Sequence, residues 1–117
     1  MLTLEKLRNY GADVDEGMGR CMNKEAFYLQ LVNMAADDGG FEKLRAAMEN
    51  GDRKGSFEAA HALKGMLGNL ALTPVSRPAS ELTELLRSET GGETEAPRLL
   101  EEILTQRAKL LQLRDEA

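Results

Sequence analysis

The sequence contains one histidine, His61, and it is followed by side chains suited to chemistry at an imidazole. A neutral imidazole nitrogen is a good nucleophile near physiological pH. Lys64 lies one helical turn beyond His61, so its flexible side chain can bring an ammonium group to an anion attached to the ring. Gly65 and Gly68 follow, although each glycine costs about 1 kcal/mol relative to alanine inside a helix. Together these residues favour a site where another macromolecule approaches a nucleophilic histidine closely.

The segment from Arg53 to Leu72 is predicted to be the helix that carries these residues. At about 100° per residue its apolar side chains fall on one arc, which should be buried; they are Ala60, Leu63, Leu67 and Leu70. His61 lies about 140° from the centre of that arc, so it should be exposed with the two glycines beside it. Gly65 could instead end the helix, but Leu67 and Leu70 continue the apolar period. Because many lone surface histidines have no function, the motif by itself is only a hypothesis.

Other kinds of site are poorly indicated. One histidine and one distant cysteine, Cys21, do not form a usual zinc ligand set, so no metal is expected. The chain has no P-loop or glycine-rich nucleotide motif, and no carboxylate is singled out by an apolar setting as an acid or base. The methionines are predicted to fill the core rather than to form a binding surface; among them are Met18, Met22, Met34, Met48 and Met66.

Length and composition predict one compact, soluble domain spanning residues 1–117. Hydrophobic residues make up 42% and charged residues 30%, which is typical of globular proteins, and no apolar run is long enough to cross a membrane. The formal net charge of -5 makes nucleic acid a poor partner. A single cysteine excludes an intrachain disulfide, and "MLTLEKLRNY" is too charged for a signal peptide. We expect a cytoplasmic protein.

The hydrophobic spacing predicts an all-α fold with four main helical patterns and no strand-like alternation. A short helix within "LTLEKLRNY" should end at Gly11, and a looser helical turn should follow from Val14 to Met22. Asn23 is predicted to cap the helix "KEAFYLQLVNMAAD", in which three large apolar residues share one face; they are Phe27, Leu31 and Met34.

Glycine and proline mark the remaining boundaries. Gly39-Gly40 should break the chain before the helix "FEKLRAAMEN", which should end at Gly51. Thr73-Pro74 is predicted to start the helix after the one carrying His61, with Thr73 as its cap. Pro78 conflicts with that start, because a proline inside a helix removes a hydrogen bond and costs roughly 3 kcal/mol. "SETGGETEAP" should be a loop before a last helix from about Pro97.

The stretch "AHALKGMLGNLAL", residues 60–72, resembles the phosphorylation-site helix of histidine-containing phosphotransfer (HPt) domains. The likeness is the pattern His-x-Leu-Lys-Gly followed by a small residue three positions later, and it extends upstream through "NKEAFYLQLVNMAADDGGFEKLRAAMENGD" to cover roughly residues 17–72. The resemblance implies an antiparallel four-helix bundle with one or two short N-terminal helices. The chain departs from the family pattern where small residues or glycine are common; these positions are Met66, Leu67 and Ala71. Pro78 is also unusual near the start of the next helix.

The resemblance also implies roles for individual residues. His61 would be the phosphorylated side chain, Lys64 would help neutralise the phosphoryl oxygens, and Gly65 and Gly68 would clear space for the partner. Leu72 is expected from helical geometry to lie on the face of His61 and to belong to the docking surface.

The expected function is that of a phosphocarrier in a two-component phosphorelay, which shuttles a phosphoryl group between aspartates of receiver domains. The resemblance implies that the receiver supplies the aspartate and a Mg²⁺ ion, so this chain should bind no cofactor. A hybrid sensor histidine kinase is a further candidate partner, and we expect a monomer. One alternative is a bundle of the same fold that docks receivers or other signalling partners without being phosphorylated. Another is a helical module excised from a larger protein.

Overall fold

The computed structural model describes residues 1–116, and this range contains seven helices and no strand. They are α1 (Leu4–Tyr10), α2 (Val14–Arg20), α3 (Glu25–Ala36), α4 (Gly40–Glu49), α5 (Arg53–Asn69), α6 (Thr73–Arg87) and α7 (Glu95–Asp115). The predicted all-α fold is confirmed. None of the helices between residues 1 and 116 combines the length and the hydropathy that a membrane span requires.

The four arms of the bundle are α5, α6, α7 and the pair α3–α4, which breaks at residues 37–39. Helix α5 packs against α4 and α6, while α7 packs against α6 and closes the bundle against α3 and α4. Because short turns join these neighbours, successive arms run antiparallel. The structure is therefore the predicted antiparallel four-helix bundle, preceded by two short helices.

The core of the bundle is formed by side chains from every helix. Its largest members are at most 1% exposed; they include Leu7, Tyr28, Phe41, Leu44, Leu63, Leu82 and Ile103. Full burial of a leucine or phenylalanine side chain contributes about 1.5–3 kcal/mol, so these residues dominate the stability of the fold. The Tyr28 hydroxyl donates to the carbonyl of Leu70 at 2.9 Å, which satisfies both buried groups. Burial is the largest cause that raises the pKa of Tyr28 to about 12.

The two short helices brace the end of the helix that carries His61. Helix α1 ends at Gly11, as predicted, with the left-handed φ of 110° that glycine tolerates. The Asp13 amide then donates to the carbonyl of Ala71 at 2.9 Å, next to the turn between α5 and α6. In α2, Gly17 lies against the Tyr28 ring so closely that a Cβ would be 2.6 Å from Tyr28 Cε1. The absence of a side chain at Gly17 is what allows α2 to dock here.

Helix α3 differs from the prediction in its start and in its orientation. Asn23 has a φ of 56° and does not cap the helix; the N-cap is Lys24, which makes no side-chain capping bond. The helix buries Tyr28 and Val32 and leaves Phe27 42% and Met34 61% exposed. Met22 is 70% exposed as well, so the prediction that the methionines fill the core is wrong for Met22 and Met34.

The other boundaries lie close to their predicted positions. The break at Gly39-Gly40 is confirmed, and α4 is followed by Gly51 with a φ of 68°. Helix α6 begins at Thr73, one residue earlier than a Thr73 cap would place it, because Leu72 is the N-cap. Pro78 lies inside α6 and is buried, so the helix continues through the proline despite the missing hydrogen bond. Helix α7 begins at Glu95, two residues before the predicted Pro97.

Candidate functional site

Helix α5 is fixed at both ends and along its buried face. At its start, the Asp52 carboxylate accepts from the Gly55 amide at 2.9 Å. Arg53 Nε donates to the carbonyl of Ser88 at 2.7 Å, which joins the start of α5 to the end of α6. The predicted inner face is confirmed, since four side chains are at most 5% exposed; these are Ala60, Leu63, Leu67 and Leu70. The opposite face of α5 is therefore held outward by the core.

His61 lies on this outward face and is exposed, as predicted. Its ring stacks on Phe57, one helical turn earlier, with the ring centroids 5.8 Å apart and an interplanar angle of 21°. The guanidinium carbon of Arg87, from α6, lies 5.4 Å from the centroid of the same Phe57 ring. The aromatic contact restrains the imidazole while leaving it open to solvent. Sequence reasoning missed Phe57, although an aromatic residue four positions before the histidine was a usable signal.

Lys64 and two residues of α6 form a chain of charges beside the histidine. Lys64 Nζ lies 3.9 Å from Glu84 Oε1, and Arg87 Nη2 lies 3.0 Å from the same oxygen. Arg87 Nε also donates to Glu84 Oε2 at 3.1 Å. The hydrogen bonds and charge of Arg87 lower the pKa of the Glu84 carboxyl, and the charges of Lys64 and His61 act in the same direction. We call these five residues, Phe57, His61, Lys64, Glu84 and Arg87, the histidine cluster.

The two glycines leave the backbone of α5 uncovered beside His61. Gly65 is exposed and Gly68 partly exposed, and a Cβ at either position would meet no atom within 4 Å. The fold itself therefore does not require glycine at either place. Arg20 of α2 donates to the Gly68 carbonyl at 2.8 Å, so α2 reaches the far end of this bare stretch.

Leu72 does not belong to this face, and its predicted docking role is wrong. Helix α5 ends at Asn69, and Ala71 takes a left-handed φ of 55°. The amide of Leu72 donates back to the carbonyl of Leu67 at 3.1 Å, which closes the turn. This turn directs Leu72 into the core, where it is 0% exposed. Alanine rarely takes this φ, whereas glycine adopts it without strain.

A partly exposed apolar strip lies where α3 meets α5: Phe27 and Met34 are exposed, while Leu31 and Met66 are partly buried against the core. We call it the apolar surface and define it by Phe27, Leu31 and Met34 of α3 and Met66 of α5. A shallow groove of about 260 Å³ runs between the two helices and is lined by three of these residues together with Leu70. Because Phe27 and Met34 are exposed next to this groove, the apolar surface is a candidate for binding a partner.

Helical geometry gives the positions of these residues around α5 relative to His61. Around α5, Phe57 and Lys64 lie about 40–60° to one side of His61, and Met66 lies about 140° to the other. Gly65 and Gly68 stay within about 40° of His61. The site is thus a convex strip with a histidine and bare backbone in the middle and charges on one flank, and the apolar surface begins further round α5, next to the buried face.

The fold and the site together define a four-helix bundle that presents one histidine on the outside of a helix rather than in a cleft. A family model described as Hpt domain matches residues 30–116, which include α5 and the whole histidine cluster. The chain therefore belongs to the Hpt domain family, and the resemblance seen in its sequence is confirmed. Searches of curated proteins and of solved structures gave no match. Hpt domains act in histidine phosphotransfer within phosphorelays and in general interact with receiver domains.

Proposed function

We propose that this protein is the phosphocarrier of a two-component phosphorelay, accepting a phosphoryl group from the aspartate of one receiver domain and donating it to another through His61. The observation that carries the proposal is the exposed His61 on α5, with Lys64 one turn later and open space over Gly65 and Gly68. A receiver that must bring its aspartate to the imidazole needs this access, because His61 is exposed on the outward face of α5.

In the proposed step, the lone pair of a neutral His61 ring nitrogen attacks the phosphorus of the aspartyl phosphate. The new P–N bond forms as the P–O bond breaks, and the carboxylate leaves with the electron pair while the other ring nitrogen keeps its proton. Donation to the next receiver is the reverse reaction. Phosphoryl transfer depends mainly on positioning and charge neutralisation, and Lys64 supplies a positive charge on this side. The receiver contributes the aspartate and its Mg²⁺ ion.

The apolar surface supports this proposal by offering a receiver something to bind beside the reacting group. A small contact made of apolar side chains suits a transient encounter, in which a phosphocarrier releases one partner before meeting the next. Receiver domains, including one within a hybrid sensor histidine kinase, are the partners we propose. The relay would operate in the cytoplasm with the protein as a monomer.

Transfer from a radiolabelled phosphorylated receiver to the purified protein tests the proposal. Wild type should acquire an acid-labile, alkali-stable label, and His61→Gln should acquire none, because it removes the single histidine of the chain. Lys64→Gln should slow transfer about fivefold, the effect of one exposed charge. Lys109→Gln, which changes an exposed lysine in α7, is the matched control and should transfer like wild type.

Wild type that folds but takes no label from any receiver of its organism would contradict the proposal. Binding of receivers by His61→Gln and wild type alike, without transfer, would favour the unphosphorylated docking bundle instead.

A further inference from the structure

Glu84 is an acidic side chain at the point where phosphorylation of His61 would add negative charge. Its carboxylate makes two hydrogen bonds with Arg87 and lies 3.9 Å from Lys64 Nζ. The Phe57 ring stacks on the imidazole and also lies under the Arg87 guanidinium, and Lys64 is one turn from His61, so both cations that Glu84 binds flank the histidine. A site built only to hold a phosphoryl group would leave both cations free, so the carboxylate between them calls for an explanation.

Fold stability does not provide that explanation. The side chains of Lys64, Glu84 and Arg87 are 36%, 57% and 55% exposed. Exposed ion pairs add little to the free energy of unfolding because water and salt screen them. Helices α5 and α6 are already joined by a continuous buried core and by the contacts of Arg53. The ion pairs of Glu84 are therefore dispensable for packing α5 against α6.

The charges of the histidine cluster do give Glu84 a role. Without phosphate, one carboxylate is shared by two cations. A phosphoryl group on His61 brings nearly two negative charges, which attract Lys64 and Arg87 and repel the carboxylate. Lys64 is held loosely, at the outer limit of an ion pair, and can turn from Glu84 to the phosphoryl oxygens. Arg87 is held more firmly, by two hydrogen bonds and by the Phe57 ring.

We infer that Glu84 is a positioning residue that competes with the phosphoryl group for Lys64 and Arg87 and so shifts the transfer equilibrium away from His61. The inference rests on the proposed function and adds to it a residue that sets how readily the phosphoryl group leaves. In the step it favours, the P–N bond breaks, the electron pair returns to the ring nitrogen, and a P–O bond forms on the receiver aspartate. By retaining part of the positive charge, Glu84 keeps the phosphohistidine a donor rather than a sink.

The test is the equilibrium constant for transfer between this protein and a receiver, approached from both sides at concentrations below their dissociation constant. Under those conditions a variant that only binds the receiver more weakly changes the rate of transfer. It does not change the final distribution of label between the two proteins. Glu84→Gln should shift label toward the phosphohistidine by about twofold to fivefold, the range for one exposed charge pair. The shift should shrink in 1 M salt and in the Lys64→Gln background, where one of the two cations is missing.

Two matched variants separate this role from simpler effects. Glu84→Asp keeps the charge and should behave like wild type. Glu81→Gln removes an equal charge from an exposed position one turn earlier in α6 and should also leave the equilibrium unchanged. An unchanged constant in Glu84→Gln, or an equal shift in Glu81→Gln, would overturn the inference while the proposed function stands. Absence of any transfer to wild type would instead overturn the proposed function and this inference with it.

Discussion

Gly65 is the residue whose presence the fold explains least. It lies in the middle of α5 on the exposed face, and a Cβ there would contact no atom within 4 Å. Glycine in a helix interior is unfavourable relative to alanine because it loses more backbone entropy on folding. A residue that weakens its own helix without serving the packing is best explained by a partner that touches the backbone there.

Replacing Gly65 with alanine should therefore separate stability from function. We expect Gly65→Ala to raise the free energy of unfolding by about 0.5–1 kcal/mol, measured by urea denaturation. The added methyl group should hold a receiver away from His61 and slow phosphoryl transfer about tenfold, which corresponds to ~1.4 kcal/mol of lost binding. Because the variant is the more stable protein, unfolding cannot account for slower transfer. Wild-type transfer by Gly65→Ala would show that partners do not approach at this position.

Among the helices, α2 is the element whose role depends most on one residue. It packs against the Tyr28 ring and the last turn of α5 through Gly17, which is buried. A Cβ at Gly17 would lie 2.6 Å from Tyr28 Cε1 and 2.8 Å from the carbonyl oxygen of Leu70. Because Tyr28 and Leu70 are joined by a buried hydrogen bond, neither can move away cheaply. The fit of α2 is thus coupled to the end of the helix that carries His61.

Gly17→Ala should lower the free energy of unfolding by about 1–3 kcal/mol, the usual effect of overfilling a packed site. Gly19→Ala is the matched control, two residues away in the same helix, where an added Cβ meets no atom within 4 Å. It should raise stability by up to ~1 kcal/mol through helix propensity. Thermal unfolding followed by circular dichroism measures both. Equal stabilisation by the two variants would mean that α2 does not dock as described.

The same elements show what the sequence could and could not predict. The glycines and the spacing of hydrophobic residues located the helices. Helix α3, however, has two apolar faces, and the spacing alone does not tell which of them packs against the core. Tyr28 and Val32 are buried, so Phe27 and Met34 are left outside. The end of α5 was missed because Ala71 adopts a left-handed φ of 55° that alanine rarely takes.

The residues of the candidate site also differ in whether the sequence alone could predict them. His61 and Lys64 are one turn apart in a single helix, so spacing alone was enough to pair them. Glu84 and Arg87 come from α6 and approach Lys64 and Phe57, the neighbours of His61, through the packing of two helices. No local pattern in α6 marks these two residues, since both also fit an ordinary solvated helix face. Tertiary structure was needed to find them.

At the scale of the whole molecule, the outward strip of α5 separates two kinds of surface. The charges of the histidine cluster lie on one flank, and the apolar surface begins further round α5. We therefore expect the histidine cluster to carry out phosphoryl transfer and the apolar surface to bind the receiver. Residues of the apolar surface should then control how tightly a receiver binds, without altering the chemistry at His61.

Met34→Asp tests this division. Met34 is 61% exposed, so the change should alter the free energy of unfolding by no more than about 0.5 kcal/mol. A charge placed under a bound receiver should raise the half-saturating receiver concentration about tenfold, since it would be buried without a partner. The transfer rate at saturation should stay at the wild-type value, because the histidine cluster is untouched. Ala108→Asp, an exposed position in α7, adds the same charge elsewhere and should change neither quantity. If Met34→Asp left the half-saturating concentration unchanged, receivers would have to bind through another face of the bundle.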